Sequence, residues 1–448
     1  MTSANFSAAD HGLLAPYWAG TPVAAATGDD AVLCAILDVE VGLATAQNRL
    51  GLVPDAAAEA IRNAAARLEL DAARLALASR SSGGNPIIPL LADLRSAVGP
   101  DASNYVHLGA TSQDILDSAL MLVSKRSISL LVSDLDSALT TLAALADRHR
   151  TTAIAGRTLT QHSVPTTFGL KAAGWMVGVA DARRFLVTIA DNLPAQLGGA
   201  AGTLASFTQL LPGRELALVD AFADELGLEP SPLPWHTIRT PVIRLADALA
   251  GVGVALGKIG VDVSLLSRTE IAELSEESGG GSSTMPQKQN PILSVLLQAA
   301  ARNTPEIAAE LHRSAIAVDE RPDGAWHTEW QAQRDLLRTT GGAASLAAEL
   351  LTGLRVDTDR MRQNLGLTGP LIVSERVMLV AGPILGKNKV RQLIAVAASE
   401  PASLRKALTR ELPDWSDAQL NDLLNPESYL GISDELIDRA MAHVKASG

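Results

Sequence analysis

The sequence predicts an all-α protein, and three observations lead there. Of its 448 residues 47% are hydrophobic but only 3% aromatic, with Ala and Leu recurring throughout. That favours helices packed through small side chains over sandwiches or barrels, which draw on β-branched and aromatic residues. Next, Val242, Leu245, Leu249, Val252, Leu256, Ile259, Val263 and Leu266 alternate spacings of three and four, a heptad seam that starts behind Thr240 as N-cap and Pro241 at the first helical position. Finally, the stripe one position further on, Ile243, Ala246, Ala250, Gly253, Gly257, Gly260, Ser264 and Ser267, is mostly tiny and invites a second helix close.

Ile128, Leu131, Leu135, Ala138, Leu142 and Leu145 repeat the seam earlier in the chain. Long helices with two packing stripes belong in a bundle. One chain can hardly cover both stripes along their length, which predicts a helical homo-oligomer.

Three regions follow from the rhythm of the breaks. Residues 1–110 form an N-terminal helical domain punctuated at Gly51-Leu52-Val53-Pro54 and Gly83-Gly84-Asn85-Pro86. Residues 111–355 hold the longest helical runs and form a central bundle domain. Residues 356–448 form a C-terminal helical domain with breaks at Gly369-Pro370, Gly382-Pro383 and Asn425-Pro426.

Composition removes several classes of function. A net charge of −12 without a basic face argues against a nucleic-acid partner. The single cysteine, Cys34, excludes a disulfide framework and a cysteine-rich zinc site, and is expected to lie buried in a helix. The opening MTSANFSAADHG carries no apolar run, and no uninterrupted apolar stretch reaches about 18 residues, so neither a leader nor a membrane span is expected and the protein reads as cytoplasmic. Gly251, Gly253 and Gly257 lack the G-x-G-x-x-G frame and sit inside the heptad pattern, so packing accounts for them.

Chemistry concentrates in Ser278–Pro291, where a glycine run precedes Ser282, Ser283, Thr284, Lys288 and Asn290. It is not a Walker loop, since Lys288 lacks the required frame. Successive backbone N–H groups in such a loop form an anion nest to which Lys288 adds a full charge, and the glycines permit closure.

Gly281-Ser-Ser-Thr-Met-Pro-Gln-Lys-Gln-Asn-Pro291 resembles the signature loop of the fumarase/aspartase superfamily. Val106-His-Leu-Gly-Ala-Thr-Ser-Gln-Asp114 and Gly156-Arg-Thr-Leu-Thr-Gln161, leading to Pro165, match two further blocks of that superfamily in order. The resemblance implies three mostly helical domains, a central bundle of long helices in a homotetramer, and active sites built from three subunits, one block from each. It also implies that Ser282 is the general base at the carbon next to a carboxylate. Lys288 and Asn290 would hold the aci-carboxylate that results, with charge and donors placed where negative charge develops.

The branch of the superfamily turns on Leu159. Several members carry histidine there, adenylosuccinate lyase among them. Leucine cannot donate a proton, so a reaction whose leaving group is a carboxylate is favoured over one that expels an amine. Gln196–Ala205, Pro234–Arg239, Trp326–Trp330 and Leu424–Gly431 look like the 3-carboxy-cis,cis-muconate cycloisomerases, as does His162 after Gln161. The expected reaction is lactonisation of that tricarboxylate to 4-carboxymuconolactone in protocatechuate degradation, with no metal or organic cofactor. Gln287-Lys-Gln289 departs from the more familiar His-Lys-Arg and leaves open how a third carboxylate is neutralised.

The expected catalytic set is Ser282, His162 and Lys288. Substrate binding falls to His107, Thr111, Ser112, Gln113, Arg157, Gln161, Ser283 and Asn290. Each assignment has a plainer counterpart. His162 could cap a helix, His107 could be a hydrogen-bonded core histidine, and Arg157 could be a structural ion-pair partner. His236 and Arg239 are packing or substrate-binding candidates, Thr240 standing where relatives have an acid. His327 and Glu329 resemble a metal pair, but with no third ligand a hydrogen-bonded motif fits better. Adenylosuccinate lyase, another fumarate-releasing lyase, or a silent helical scaffold are the rival functions.

Overall fold

The computed structural model describes residues 11–278, 280–281, 285 and 288–447. Ser282 and Ser283, with Thr284 between the loop's serines and its lysine, lie outside the described residues. Helices dominate, and the fold is all-α. Six of them exceed twenty residues: α1 (Asp29–Arg49), α2 (Ser112–Arg148), α3 (Phe168–Asp191), α4 (Thr240–Leu266), α5 (Ile292–Ser314) and α6 (Gly324–Thr352). Among the described residues, strands occur only as three antiparallel pairs. These are β1 (Ala153–Thr158) with β2 (Gln161–Thr167), β3 (Leu274–Glu276) with β6 (Leu354–Val356), and β4 (Gly280–Gly281) with β5 (Gln289–Asn290).

The chain divides into two compact units, one of Met1–Leu135, Ala182–Gly257 and Leu296–Leu346, the other of Asp136–Asp181, Lys258–Val295 and Ala347–Gly448. The boundaries fall within long helices. The division at 110 and 355 is by helix length, a different partition that stands as a reading of the sequence.

All eight seam residues of α4, from Val242 to Leu266, are at most 4% exposed, and the six of α2 are buried as well. The small-residue stripe does what its composition suggests. A methyl on Gly253 would run into Thr304 of α5, and one on Gly257 would lie 2.7 Å from the Ala301 side chain. Only glycine lets these two helices come so close.

Three expectations need correction. Cys34 is exposed, because α1 buries Leu33, Ala35, Ile36 and Leu37 and turns Cys34 and Asp38 to solvent, one helical turn apart. Pro383 does not break its helix, which runs Ser374–Leu385, since only the last turn follows it. Lastly, α2 and α4 are, by length and composition alone, apolar enough to cross a membrane. Their apolar residues are the packing seams, although only 33% of α2's most apolar window and 50% of α4's is buried within the chain.

Candidate active site

In the first unit the Val106–Asp114 block leads into α2. Asp114 is fully buried, and its carboxylate accepts from the backbone N–H of Thr111 (3.0 Å), Gly198 (2.8 Å) and Gly199 (2.9 Å) and pairs with His236 Nε2 (2.8 Å). One side chain thereby ties the turn carrying Thr111 and Ser112 to the glycine segment after Gln196. Glycine is required at 198, where a Cβ would lie 2.7 Å from the Pro234 ring and 2.8 Å from the His236 imidazole. Thr111 and Ser112 remain half-buried at the start of the 37-residue helix, where hydroxyls and backbone N–H groups favour a carboxylate. Gln113 is buried and donates to the carbonyl of His236 (2.9 Å), which braces the same cluster.

His107 has a left-handed backbone (φ 62) and pairs through Nδ1 with the buried Glu40 at 2.7 Å. Arg239 spends all its donors inside the unit. It meets Glu329 through Nε and one terminal nitrogen, and Asp117 through both terminal nitrogens. It also donates to the carbonyl of Trp235, whose ring lies 4.7 Å below the guanidinium. Trp326 Nε1 adds a bond to Asp117 (2.9 Å). Burial opposes the charge on Arg239, but Asp117 and Glu329 hold its pKa above the ordinary value. Burial pushes the Glu329 carboxyl up, against the pull of Arg239. Of the two open readings, packing is therefore the role of Arg239, and Glu329 is a hydrogen-bonded brace. No cluster of three or more His, Cys, Asp or Glu suited to a metal occurs among the described residues.

In the second unit β1 and β2 form a hairpin in which Arg157 faces His162 and Thr158 faces Gln161. Its two turn residues, Leu159 (φ 49) and Thr160 (φ 71), both take the left-handed region that a two-residue turn of this hand demands. Leu159 is 96% exposed at the tip. Gly156 occupies a register irregularity, where a Cβ would meet the Val164 carbonyl at 2.5 Å. Arg157 forms a two-pronged pair with the buried Glu273 (3.1 and 2.5 Å), which also accepts from Asn364 (2.8 Å). His162 lies on a strand, caps no helix, and approaches the Thr368 hydroxyl at 3.5 Å. Burial, then the charge of Arg157, pushes its pKa down, with Glu273 opposing, so the ring is neutral at pH 7. Gln161 is exposed.

The signature loop is tied at its two ends. A strand, β3, separates it from α4. Gly280 and Gly281 pair with Asn290 and Gln289, so the loop closes a miniature hairpin. Glu276 of β3 accepts from the N–H groups of Leu293 (2.9 Å) and Ser294 (2.8 Å) and from the Ser294 hydroxyl, which fixes the start of α5 just past the loop. Lys288 is exposed, its N–H bonded to the Met285 carbonyl (3.0 Å), and Asn290 is half-buried. A cavity of ≈ 510 Å³ adjoins Gln289, Asn290, Ser275, Glu276 and Arg355.

Thr111, Ser112, Gln113 and His107 thus share one unit, while Arg157, Gln161, His162, Lys288 and Asn290 belong to the other. Sequence reasoning did not assign Glu40, Glu273 or Glu276. Each carried a signal: Glu40 interrupts the apolar run Val39–Leu43, and Glu273 and Glu276 sit three apart ahead of the loop.

Comparison with known proteins then gives three results. A family described as lyase matches residues 28–304. Nitrosuccinate lyase of Streptomyces davaonensis is 49% identical over 449 residues, covering 96% of this chain and 94% of that protein. The 3-carboxy-cis,cis-muconate cycloisomerase of Pseudomonas aeruginosa is 39% identical over 447 residues, covering 96% of each. The crystal structure of 3-carboxy-cis,cis-muconate lactonizing enzyme from Pseudomonas putida superposes with a TM-score of 0.90 at 34% identity, covering 97% of this chain and 99% of that one.

Proposed function

The chain belongs to the lyase family of the fumarase/aspartase superfamily and is an enzyme of the lyase and isomerase kind, and from that premise we propose that it expels a weakly basic anion from the carbon β to a carboxylate. Leu159 carries this reading. At the tip of the hairpin, where several relatives place an acid histidine, it presents an apolar side chain that cannot protonate a leaving group. A leaving group that departs as a stable anion needs no such help.

In this reading the substrate is nitrosuccinate. Ser282 takes the proton from the carbon next to a carboxylate, and the electron pair passes into an aci-carboxylate held by Lys288 and Asn290. That pair returns to form the carbon–carbon double bond as the carbon–nitrogen bond breaks. Fumarate and nitrite are released, and the abstracted proton balances the nitrite. Thr111 and Ser112 bind the second carboxylate, and His162, neutral at pH 7, accepts or relays a proton. Two features support a dicarboxylate: the 49% identity to a nitrosuccinate lyase, and Gln289, which offers an amide where a tricarboxylate calls for a cation. Lactonisation of 3-carboxy-cis,cis-muconate is the second reading, supported by the cycloisomerase relatives and using the same serine, lysine and asparagine. It likewise needs no acid at position 159.

The active form we propose is a homotetramer in which the three blocks of each site come from different subunits. The incompletely buried apolar faces of α2 and α4, with Val254 60% exposed, supply the surface for it. The enzyme is expected to be soluble and cytoplasmic.

The test is to incubate the purified protein with each substrate, following nitrite colorimetrically and the muconate diene by its ultraviolet absorbance. Nitrite with fumarate supports the first reading; lactone alone moves the assignment to the second. Ser282→Ala should keep the oligomer and lose about 10²- to 10⁴-fold in kcat. A retained rate removes the serine from the mechanism.

A further inference from the structure

Glu40 lies on α1 among Ile36, Val39, Leu43 and Ala44, all buried, and is itself 2% exposed. A carboxylate in such surroundings is costly unless it is paired. Its Oε1 meets only Nδ1 of His107, at 2.7 Å, and its Oε2 has no partner among the described residues. The imidazole is thus the one group that answers this carboxylate.

His107 in turn is held in a conformation that a non-glycine residue rarely adopts, φ 62, while its side chain is 13% exposed. Its segment is pinned on every side. Arg95 donates to the Val106 carbonyl (3.1 Å), and Gln47 to that of Leu108 (2.7 Å). Gly109 leaves no room for a side chain against the Phe207 ring, and Thr111 N–H is bonded to Asp114. A strained backbone and a singly paired buried acid both serve to fix one ring. With Nδ1 anchored, Nε2 is left without a partner among the described residues.

We infer that Glu40 is a positioning residue for the reaction: it anchors His107 through Nδ1, fixing the tautomer and aiming Nε2 at the substrate bound by Thr111 and Ser112. This rests on the reading of Val106–Asp114 as a substrate-binding block. An imidazole steered by a carboxylate on its other nitrogen is a general way to fix which nitrogen meets a ligand.

The experiment compares Glu40→Leu, Glu40→Gln, His107→Ala and the double variant Glu40→Leu/His107→Ala, on whichever of the two substrates the enzyme turns over. Leucine of similar volume removes a buried carboxylate but leaves His107 Nδ1 unpaired, so melting temperatures of Glu40→Leu and Glu40→Gln are compared to separate lost stability from lost aim. In Glu40→Leu kcat should drop about 10- to 100-fold, with KM within about threefold, because the ring is no longer aimed. Glutamine, which still offers an acceptor to Nδ1–H, should restore most of the rate. In the double variant the Glu40→Leu loss should vanish, since there is no ring left to position. A Glu40→Leu enzyme with the wild-type rate, or one whose loss adds fully to that of His107→Ala, overturns the inference. If His107→Ala itself turns over normally, the reading of the block falls, and the role of Glu40 with it.

Discussion

The two regions that carry the site motifs are built in opposite ways. Around Thr111 and Ser112, buried carboxylates lock everything from within. Asp114 gathers three backbone N–H groups and an imidazole, and Asp117 and Glu329 between them consume Arg239. In the second unit, the hairpin and the signature loop are fixed at their bases, by Glu273 on Arg157 and Glu276 at the start of α5, while Leu159 and Lys288 are left exposed. The contrast separates two tasks. In the proposed reaction the first region receives substrate carboxylates, and its buried braces hold its donors so that they need no reorganisation. In the same proposal the signature loop closes over substrate, and the braces described for it, Glu276 at the start of α5 and the Gly280–Gly281 pairing with Gln289–Asn290, lie at its two ends.

Removing the lock should have the largest effect. Arg239→Leu strands Asp117 and Glu329 in the interior without a counter-charge and should destabilise the fold by about 3–5 kcal/mol. Denaturant unfolding measures it, and a loss below about 1 kcal/mol would mean that the triad is not the brace described. A smaller effect is expected where α4 and α5 touch. Gly253→Ala forces a methyl against Thr304 and should cost about 1–3 kcal/mol by overpacking. The same change at the exposed Gly174 of α3, where a Cβ meets nothing, should instead stabilise through helix propensity. Equal results at the two glycines would erase the distinction between the packing stripe and an exposed face.

The smallest effect is a pH dependence in the second unit. His149 is 7% exposed, and burial, then Arg148, lowers its pKa below 6.5. The unfolded chain therefore binds a proton at higher pH than the folded one. Stability should decline as pH falls below about 6.5 and level off below the folded pKa. Melting curves across that range should show a shallower decline for His149→Gln, and parallel curves would show that this ring does not contribute.

Much of the fold was legible because helix packing is periodic. The α4 seam and its small-residue stripe could be read position by position, down to the glycines on which α5 rests. The loop and the two other blocks were legible as motifs. What eluded the sequence was pairing across long separations. Nothing in the order of residues says that Glu40 would meet His107 or that Glu273 would meet Arg157, since these contacts exist only once the helices are docked. The facing of Cys34 was misjudged for a related reason: in a helix apolar on most sides, composition does not tell which residue turns to solvent.

The central claim is that the leaving group departs as an anion without a proton donor at position 159. Its most direct test is to offer the enzyme nitrosuccinate and adenylosuccinate side by side and measure fumarate from each. These substrates share the succinyl carbons and differ in whether the departing group requires protonation. The account predicts fumarate and equimolar nitrite from nitrosuccinate, with no cleavage of adenylosuccinate. Fumarate released from adenylosuccinate at a comparable rate would contradict it, because a proton donor would then have to serve the leaving group despite Leu159.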